Sequence, residues 1–92
     1  MPRLRCIVRG RVQGVGFRYF AADAAESLDL KGWIRNRRGG EVESEAEGPR
    51  EDLEAYLKKL RRGPMLARVQ DVDVQWEEED GRFRGFEIRP TM

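Results

Sequence analysis

Residues 4–28 read LRCIVRGRVQGVGFRYFAADAAESL and change their periodicity part-way along. From Leu4 to Val12 the chain alternates between apolar or small residues and mostly arginines, which is typical of a β-strand with one buried face. From Phe17 the apolar residues recur at intervals of three and four, which predicts a helix to about Leu30. This stretch therefore predicts a strand, a tight glycine-rich turn and a helix in immediate succession.

The remaining elements follow from the same kinds of pattern. We expect Gly32 to end the first helix and Gly39-Gly40 to form a two-residue hairpin turn with positive φ. A second helix carries basic residues in its last turn and ends at Gly63-Pro64. The elements predicted after the first helix are strand 33–37, strand 41–47, helix 49–62, strand 69–76, an acidic turn at 77–81 and strand 83–89.

This order of elements matches the split βαβ, or ferredoxin-like, sandwich. We expect an α+β fold in which an antiparallel sheet of four to five strands carries two helices on one face, with residues 1–92 forming a single domain. The third strand alternates apolar or small residues with Glu41, Glu43, Glu45 and Glu47, a row that we expect to be solvated. Because this architecture hosts enzymes, RNA binders and metal carriers alike, it does not give the function.

The composition excludes several classes of function. The 18 basic and 17 acidic residues leave a net charge of +1, so the large positive excess of a general polyanion binder is missing. The absence of histidine excludes imidazole bases and histidine-ligated metals. Cys6 can form no internal disulfide, and its parity in the first strand places it toward the core. With no apparent signal peptide or membrane span, we expect a cytoplasmic protein.

The glycine-rich segment 10–18 has the chemistry of an anion site. Gly14 and Gly16 free the backbone from Cβ constraints, so several N–H groups can converge at the positive end of the following helix. Arg18 falls in the first helical turn, where its guanidinium can reach the same anion. Residues 1–40, which include this segment, hold nine basic and three acidic residues. The alternative interpretation is a tight strand-to-helix turn with no ligand.

Asn36 is the second candidate for the site. It has the parity of Ile34, an inward-facing hydrophobe on the second strand. One interpretation is that Asn36 ends the strand and bonds its own turn, as Asn often does. The other is that its uncharged amide holds a water molecule beside the anion.

The chain resembles the acylphosphatase family, small enzymes that hydrolyse carboxyl–phosphate anhydrides. The resemblance rests on two motifs taken together, GRVQGVGFR at residues 10–18 and GWIRN at residues 32–36. The resemblance spans essentially the whole chain and departs from the family at Gly39, where an acidic residue is usual. It implies a catalytic role for Arg18, which binds the phosphate oxygens, and for Asn36, which positions the attacking water. It also implies that neither a metal nor an organic cofactor takes part. The implied phosphate-binding loop, which uses backbone N–H groups, comprises Gln13, Gly14, Val15, Gly16, Phe17 and Arg18.

We therefore expect a monomeric hydrolase whose partner is a small-molecule acyl phosphate, with no nucleic acid and no membrane. A carboxylate departs readily, so the reaction needs no strong general acid such as histidine. Two alternatives are a ferredoxin-like RNA-binding module and an anion-binding domain without catalytic activity. The glutamates of the third strand count against the first alternative, because they would repel phosphates from the sheet.

Overall fold

A computed structural model describes residues 1–78, 81 and 83–92, and these form two helices and a five-stranded sheet. The elements in chain order are β1 (Pro2–Arg11), α1 (Phe17–Ser27), β2 (Lys31–Asn36), β3 (Val42–Glu47), α2 (Arg50–Arg62), β4 (Arg68–Glu78) and β5 (Phe86–Ile88). This order confirms the predicted α+β, ferredoxin-like fold. The predicted acidic turn at 77–81 includes Glu79 and Asp80, which lie outside the described residues. Within the described part, neither helix has the length and apolar character needed to cross a membrane.

The sheet has the strand order β4-β1-β3-β2-β5, and its last pairing differs from the prediction. Strand β1 pairs antiparallel with β3 and β4, and β2 pairs antiparallel with β3. Strand β5, however, runs parallel to β2, so the sheet is mixed rather than antiparallel throughout. The registers explain this direction, because β4 ends at Glu78 at the same end of the sheet where β2 begins at Lys31. A chain that returns from that end along the outer edge of β2 must run in the direction of β2.

Both helices pack on one face of the sheet and bury a shared apolar core there. Cys6 is only 2% exposed, as its parity predicted, and burial raises the pKa of its thiol to about 12. The buried Tyr56 hydroxyl is satisfied by a 2.8 Å hydrogen bond with the Ser44 hydroxyl, which donates in turn to the Trp33 carbonyl. The core includes Leu4, Val8, Ile34, Val42 and Ala46 from the sheet, Phe17, Ala21, Ala24 and Ala25 from α1, and Leu53, Tyr56, Leu57 and Leu60 from α2.

Helix α1 ends earlier than predicted, and Gly32 is not the residue that ends it. Asp29 takes a positive φ of 56°, and the N–H groups of Asp29 and Leu30 donate to the carbonyls of Glu26 and Ala25. These two bonds make a Schellman motif with aspartate at the left-handed position that glycine usually occupies. Gly32 instead lies inside β2, where a Cβ would collide with the backbone of β3.

The β2–β3 hairpin also differs from the expected two-residue turn. The Arg37 N–H donates to the Glu41 carbonyl at 2.8 Å, so the loop comprises residues 38–40. Inside it the Gly40 N–H donates to the Arg37 carbonyl at 3.1 Å, and of the two glycines only Gly40 has a positive φ. A three-residue loop of this kind needs one left-handed position, which glycine supplies at the end of the turn.

The prediction that the glutamates of the third strand form a solvated row is wrong. Arginines on neighbouring strands cover the glutamates of β3. Glu43 is 3% exposed and accepts hydrogen bonds from Arg5 at 3.1 Å and Arg35 at 2.9 Å. Glu47 is equally buried and lies 3.6 Å from the guanidinium of Arg3. Burial alone would raise the pKa of Glu43, but the hydrogen bonds and charges of Arg35 and Arg5 outweigh it and lower that pKa. The sheet face opposite the helices therefore carries paired charges.

We expect Glu43→Gln to lower the free energy of unfolding at pH 7 by about 1.5–3 kcal/mol, because it weakens two charge-assisted hydrogen bonds. The Glu43 pKa in the folded protein lies below its ordinary value of 4.5. Its contribution is therefore present above pH 4.5 and disappears as the pH falls through the folded-state pKa. Urea denaturation at a series of pH values should show the wild type and the variant converging in acid. The control is Glu54→Gln, which removes an exposed pair with Arg50 and should change stability by less than about 0.5 kcal/mol. A pH-independent difference between the wild type and Glu43→Gln would contradict the assignment.

Candidate active site

A cavity of about 210 Å³ lies where β1 gives way to α1, beside the last residue of β2. It brings together two residues singled out in the sequence, Arg18 and Asn36. A larger cavity of about 390 Å³ lies between β1 and β4, but Asp73 lines it and no helix begins there, so it suits an anion less well. The residues that line the smaller cavity are Val12, Gly14, Gly16, Phe17, Arg18, Tyr19 and Asn36.

The loop at the cavity has a conformation that glycine adopts readily. Gly14 and Gly16 have φ angles of 73° and 76°, in the left-handed region. A Cβ at either position would meet no atom within 4 Å, so the requirement for glycine is conformational rather than steric. Gly16 is also the N-cap of α1, and no acidic side chain occupies the first turn of that helix. The positive end of α1 therefore remains available to an external anion.

Arg18, the second residue of α1, keeps its charge available to a ligand. Its side chain is half-buried, and it forms no hydrogen bond or ion pair with any residue that the structure describes. Six arginines elsewhere in the described residues form an ion pair with a carboxylate. The arginines in such pairs are Arg3, Arg5, Arg9, Arg35, Arg50 and Arg89.

Asn36 is the last residue of β2 and pairs with Val42 of β3. Its Oδ1 atom is fully buried and has no hydrogen-bond partner in the described part of the chain. The alternative interpretation, in which the Asn36 side chain bonds its own turn, finds no support there. A buried acceptor without a partner costs about 1–3 kcal/mol, so its retention at the wall of a cavity needs a reason. A bound water or ligand group in the cavity would supply the missing donor.

Gln13 does not line the cavity, although it belongs to the predicted phosphate loop. Its Nε2 donates hydrogen bonds to the carbonyls of Arg37 at 2.7 Å and Glu41 at 2.9 Å. The side chain thus ties the glycine-rich loop to the hairpin that follows Asn36. Val15, the other predicted loop residue outside the lining, packs against the core.

Two further residues, Val12 and Tyr19, line the cavity and were not predicted from the sequence. Val12 is buried and has the inward parity of the first strand, a signal that was read only as core. Tyr19 follows Arg18 in the first turn of α1, and its side chain is 71% exposed. An aromatic residue directly after a candidate arginine is a signal that the sequence itself displays, because aromatic side chains are enriched where small molecules bind.

Similarity to known proteins identifies the family of this chain. The family model named Acylphosphatase matches residues 4–88. The chain belongs to the acylphosphatase family. The predicted family is therefore confirmed, and with it the activity: the chain is an enzyme that hydrolyses acyl phosphates.

Individual acylphosphatases match over nearly the full length. An acylphosphatase from Thermus thermophilus is 53% identical over 88 residues, which cover 96% of this chain and 99% of that protein. One from Pyrobaculum aerophilum is 46% identical over 93 residues, covering 100% of this chain and 98% of its own length. The crystal structure of an acylphosphatase from Bacillus subtilis superposes with a TM-score of 0.94 at 39% identity, covering 97% of this chain and 99% of that one. Within this family, the roles of Arg18 and Asn36 in the present chain remain predictions.

The left-handed conformation of Gly16 generates a first prediction for the candidate active site. Gly16→Ala should lower the free energy of unfolding by about 1–2 kcal/mol and weaken inhibition by inorganic phosphate, because alanine disfavours this conformation. Gly16→Asn should cost less, since asparagine tolerates the left-handed region better than alanine does. The control is Gly85→Ala, at a position with no positive φ and open space around it. Equal effects of Gly16→Ala and Gly85→Ala would contradict the proposed constraint.

The Gln13 bonds generate a second prediction. Gln13→Glu keeps the shape of the side chain but points a carboxylate at two carbonyl oxygens, so we expect a loss of about 1–3 kcal/mol in the free energy of unfolding. We also expect kcat/KM for acetyl phosphate to fall several-fold, because the loop is no longer tied to the hairpin. Gln70→Glu, on the exposed part of β4, is the matched control and should change neither quantity. Wild-type stability and kcat/KM in Gln13→Glu would show that the two bonds do not matter.

Proposed function

We propose that this acylphosphatase binds the phosphate of its substrate in the cavity at the start of α1 and hydrolyses it by direct attack of a water molecule. One observation carries the proposal: Arg18 and Asn36 line the same cavity, and neither the Arg18 guanidinium nor the Asn36 Oδ1 has a partner among the described residues. A cation suits a phosphate, and a lone acceptor suits a water molecule. The two features together provide for both reactants of a hydrolysis.

The phosphate is held by backbone and side-chain donors of one loop. The left-handed glycines Gly14 and Gly16 turn successive N–H groups of residues 13–18 toward the anion, and the dipole of α1 adds to their field. The planar guanidinium of Arg18 can donate two parallel hydrogen bonds to phosphate oxygens. These donors face the equatorial oxygens, where negative charge is stabilised in the transition state of phosphoryl transfer.

Asn36 orients the attacking water on the opposite side of the phosphorus from the acyl group. Its Oδ1 accepts a hydrogen bond from the water, which turns a water lone pair toward the phosphorus. The new bond forms between the water oxygen and phosphorus as the bond from phosphorus to the acyl oxygen breaks. The bonding electrons leave on the carboxylate, and the water proton passes to a phosphate oxygen. Because an amide is no base, Asn36 acts by positioning, which is the main contribution that phosphoryl transfer requires of a protein.

The reaction proceeds in this proposal without a metal ion or organic cofactor. Arg18 and the N–H groups at the start of α1 supply the positive charge that a metal would bring to the phosphate oxygens. The small acyl phosphate is the expected partner, and we propose that the chain acts as a monomer, a single domain of residues 1–92, in the cytoplasm. The buried, reduced Cys6 fits a reducing compartment.

The alternative of an RNA-binding module is less well supported. Such modules stack bases on aromatic residues that the sheet exposes. Here Trp33 is 4% exposed, because the guanidinium groups of Arg35 and Arg89 lie over its ring at 4.8 Å and 4.9 Å. Membership of an enzyme family likewise favours turnover over a domain that only binds an anion.

Substitutions at the two proposed catalytic residues test the mechanism. We expect Arg18→Ala to lose about 3–4 kcal/mol of transition-state stabilisation, measured from kcat/KM for acetyl phosphate, and to lose inhibition by inorganic phosphate. Asn36→Ala should lower kcat strongly while the inhibition constant of phosphate changes little, because only the water loses its partner. Arg11→Ala, which removes an exposed arginine at the end of β1, is the control for the change of net charge.

All these assays are run with and without a chelator. Undiminished turnover in Arg18→Ala or Asn36→Ala would contradict the residue assignment. Loss of wild-type activity on chelation would contradict the metal-free mechanism.

A further inference from the structure

Residues 89–92, which we name the edge segment, run along the outer side of β2 after β5 has ended. The Arg89 N–H donates to the Ile34 carbonyl at 2.9 Å, and the Met92 N–H donates to the Asn36 carbonyl at 3.2 Å. The Met92 carbonyl in turn accepts from the Arg38 N–H at 2.9 Å. The edge segment therefore continues the pairing of β5 past the last residue of β2 and into the hairpin loop.

Asn36 is held on two sides, and the edge segment provides one of them. On the inner side Asn36 pairs with Val42 of β3. On the outer side, among the residues that the structure describes, its carbonyl bonds to Met92 alone. Without the edge segment Asn36 would be the terminal residue of an open strand edge, and strand ends open locally at low free-energy cost.

Side chains anchor the edge segment to the same strand. The Nη1 of Arg35 lies 3.0 Å from the Sδ of Met92, and the Arg89 guanidinium stacks on the ring of Trp33 at 4.9 Å. Arg89 is also paired with Glu87 at 2.8 Å. Side chains of β2 and β5 thus fix the path that brings the Met92 N–H to Asn36.

We propose that the edge segment positions Asn36 for catalysis and that Met92 is a positioning residue of this enzyme. The inference rests on the role proposed for Asn36. The position of the Asn36 backbone determines where its Oδ1 lies. A displacement of Oδ1 by about 1 Å can lower the rate about 100-fold. The phosphate loop keeps its own N–H groups, Arg18 and the two Gln13 bonds, so phosphate binding does not depend on the edge segment.

Three variants of the full chain test this proposal. Deletion of residues 90–92 should lower kcat for acetyl phosphate by about 10-fold to 100-fold. Met92→Pro, which removes the N–H donor to Asn36 together with the sulfur contact with Arg35, should also lower kcat. Met92→Leu keeps that donor and loses only the sulfur contact with Arg35, so we expect kcat within about twofold of the wild type. In all three, the inhibition constant of inorganic phosphate should stay within about twofold, which separates lost positioning from lost folding.

A double variant tests whether the effect passes through Asn36. In the Asn36→Ala background, deletion of residues 90–92 should cause no further loss of kcat, because groups that act as a unit are not additive. The inference would be overturned by a wild-type kcat in the deletion variant or by a parallel loss of kcat and phosphate affinity. It would also be overturned if the deletion lowered kcat equally in the Asn36→Ala background. If Asn36→Ala has a low kcat but the deletion variant is fully active, the inference is contradicted and the proposed function is not. Wild-type turnover in Asn36→Ala contradicts the proposed function, and the inference with it.

Discussion

Between β1 and α1 the chain turns through Gly14 and Gly16, whose φ angles of 73° and 76° would cost most L-residues roughly 1–2 kcal/mol each. This turn connects β1, which lies between β4 and β3 in the sheet, to the start of a helix over a few residues. It also exposes backbone N–H groups at the positive end of α1 and puts Arg18 in the first helical turn. The proposed phosphate site is therefore a consequence of one backbone conformation, and the other parts of the site are arranged around it.

The two halves of the site come from different parts of the chain and are joined by hydrogen bonds to backbone carbonyls. Arg18 belongs to the β1–α1 turn, whereas Asn36 belongs to β2. Gln13 bridges them by bonding the carbonyls of Arg37 and Glu41, and Met92 holds the outer side of Asn36. Neutral bonds to the backbone suit this purpose, because a carboxylate in the same place would compete with the substrate for the charge of Arg18.

The net charge does not show how the charged side chains are arranged in the molecule. On the open face of the sheet, Glu43 and Glu47 are buried under arginines that neutralise them. Arg18 has no such partner in the described residues. The net charge of +1 is thus compatible with a local positive field for one small anion, since the 17 acidic residues balance all but one of the 18 basic residues in number.

Local periodicity and glycine spacing in the sequence were enough to predict the order of the elements, the helix-covered face and the candidate residues Arg18 and Asn36. The family was predicted from the resemblance of two motifs to those of known proteins. These features depend on near neighbours in the chain, which a single sequence displays. Three others depend on distant residues and were decided only by the tertiary structure. The parallel β5 follows from where β4 ends, the burial of Glu43 from arginines on strands β1 and β2, and the anchoring of Asn36 from a hydrogen bond with Met92. No local pattern encodes such contacts, because the partner residues are far apart along the chain and become neighbours only in the folded sheet.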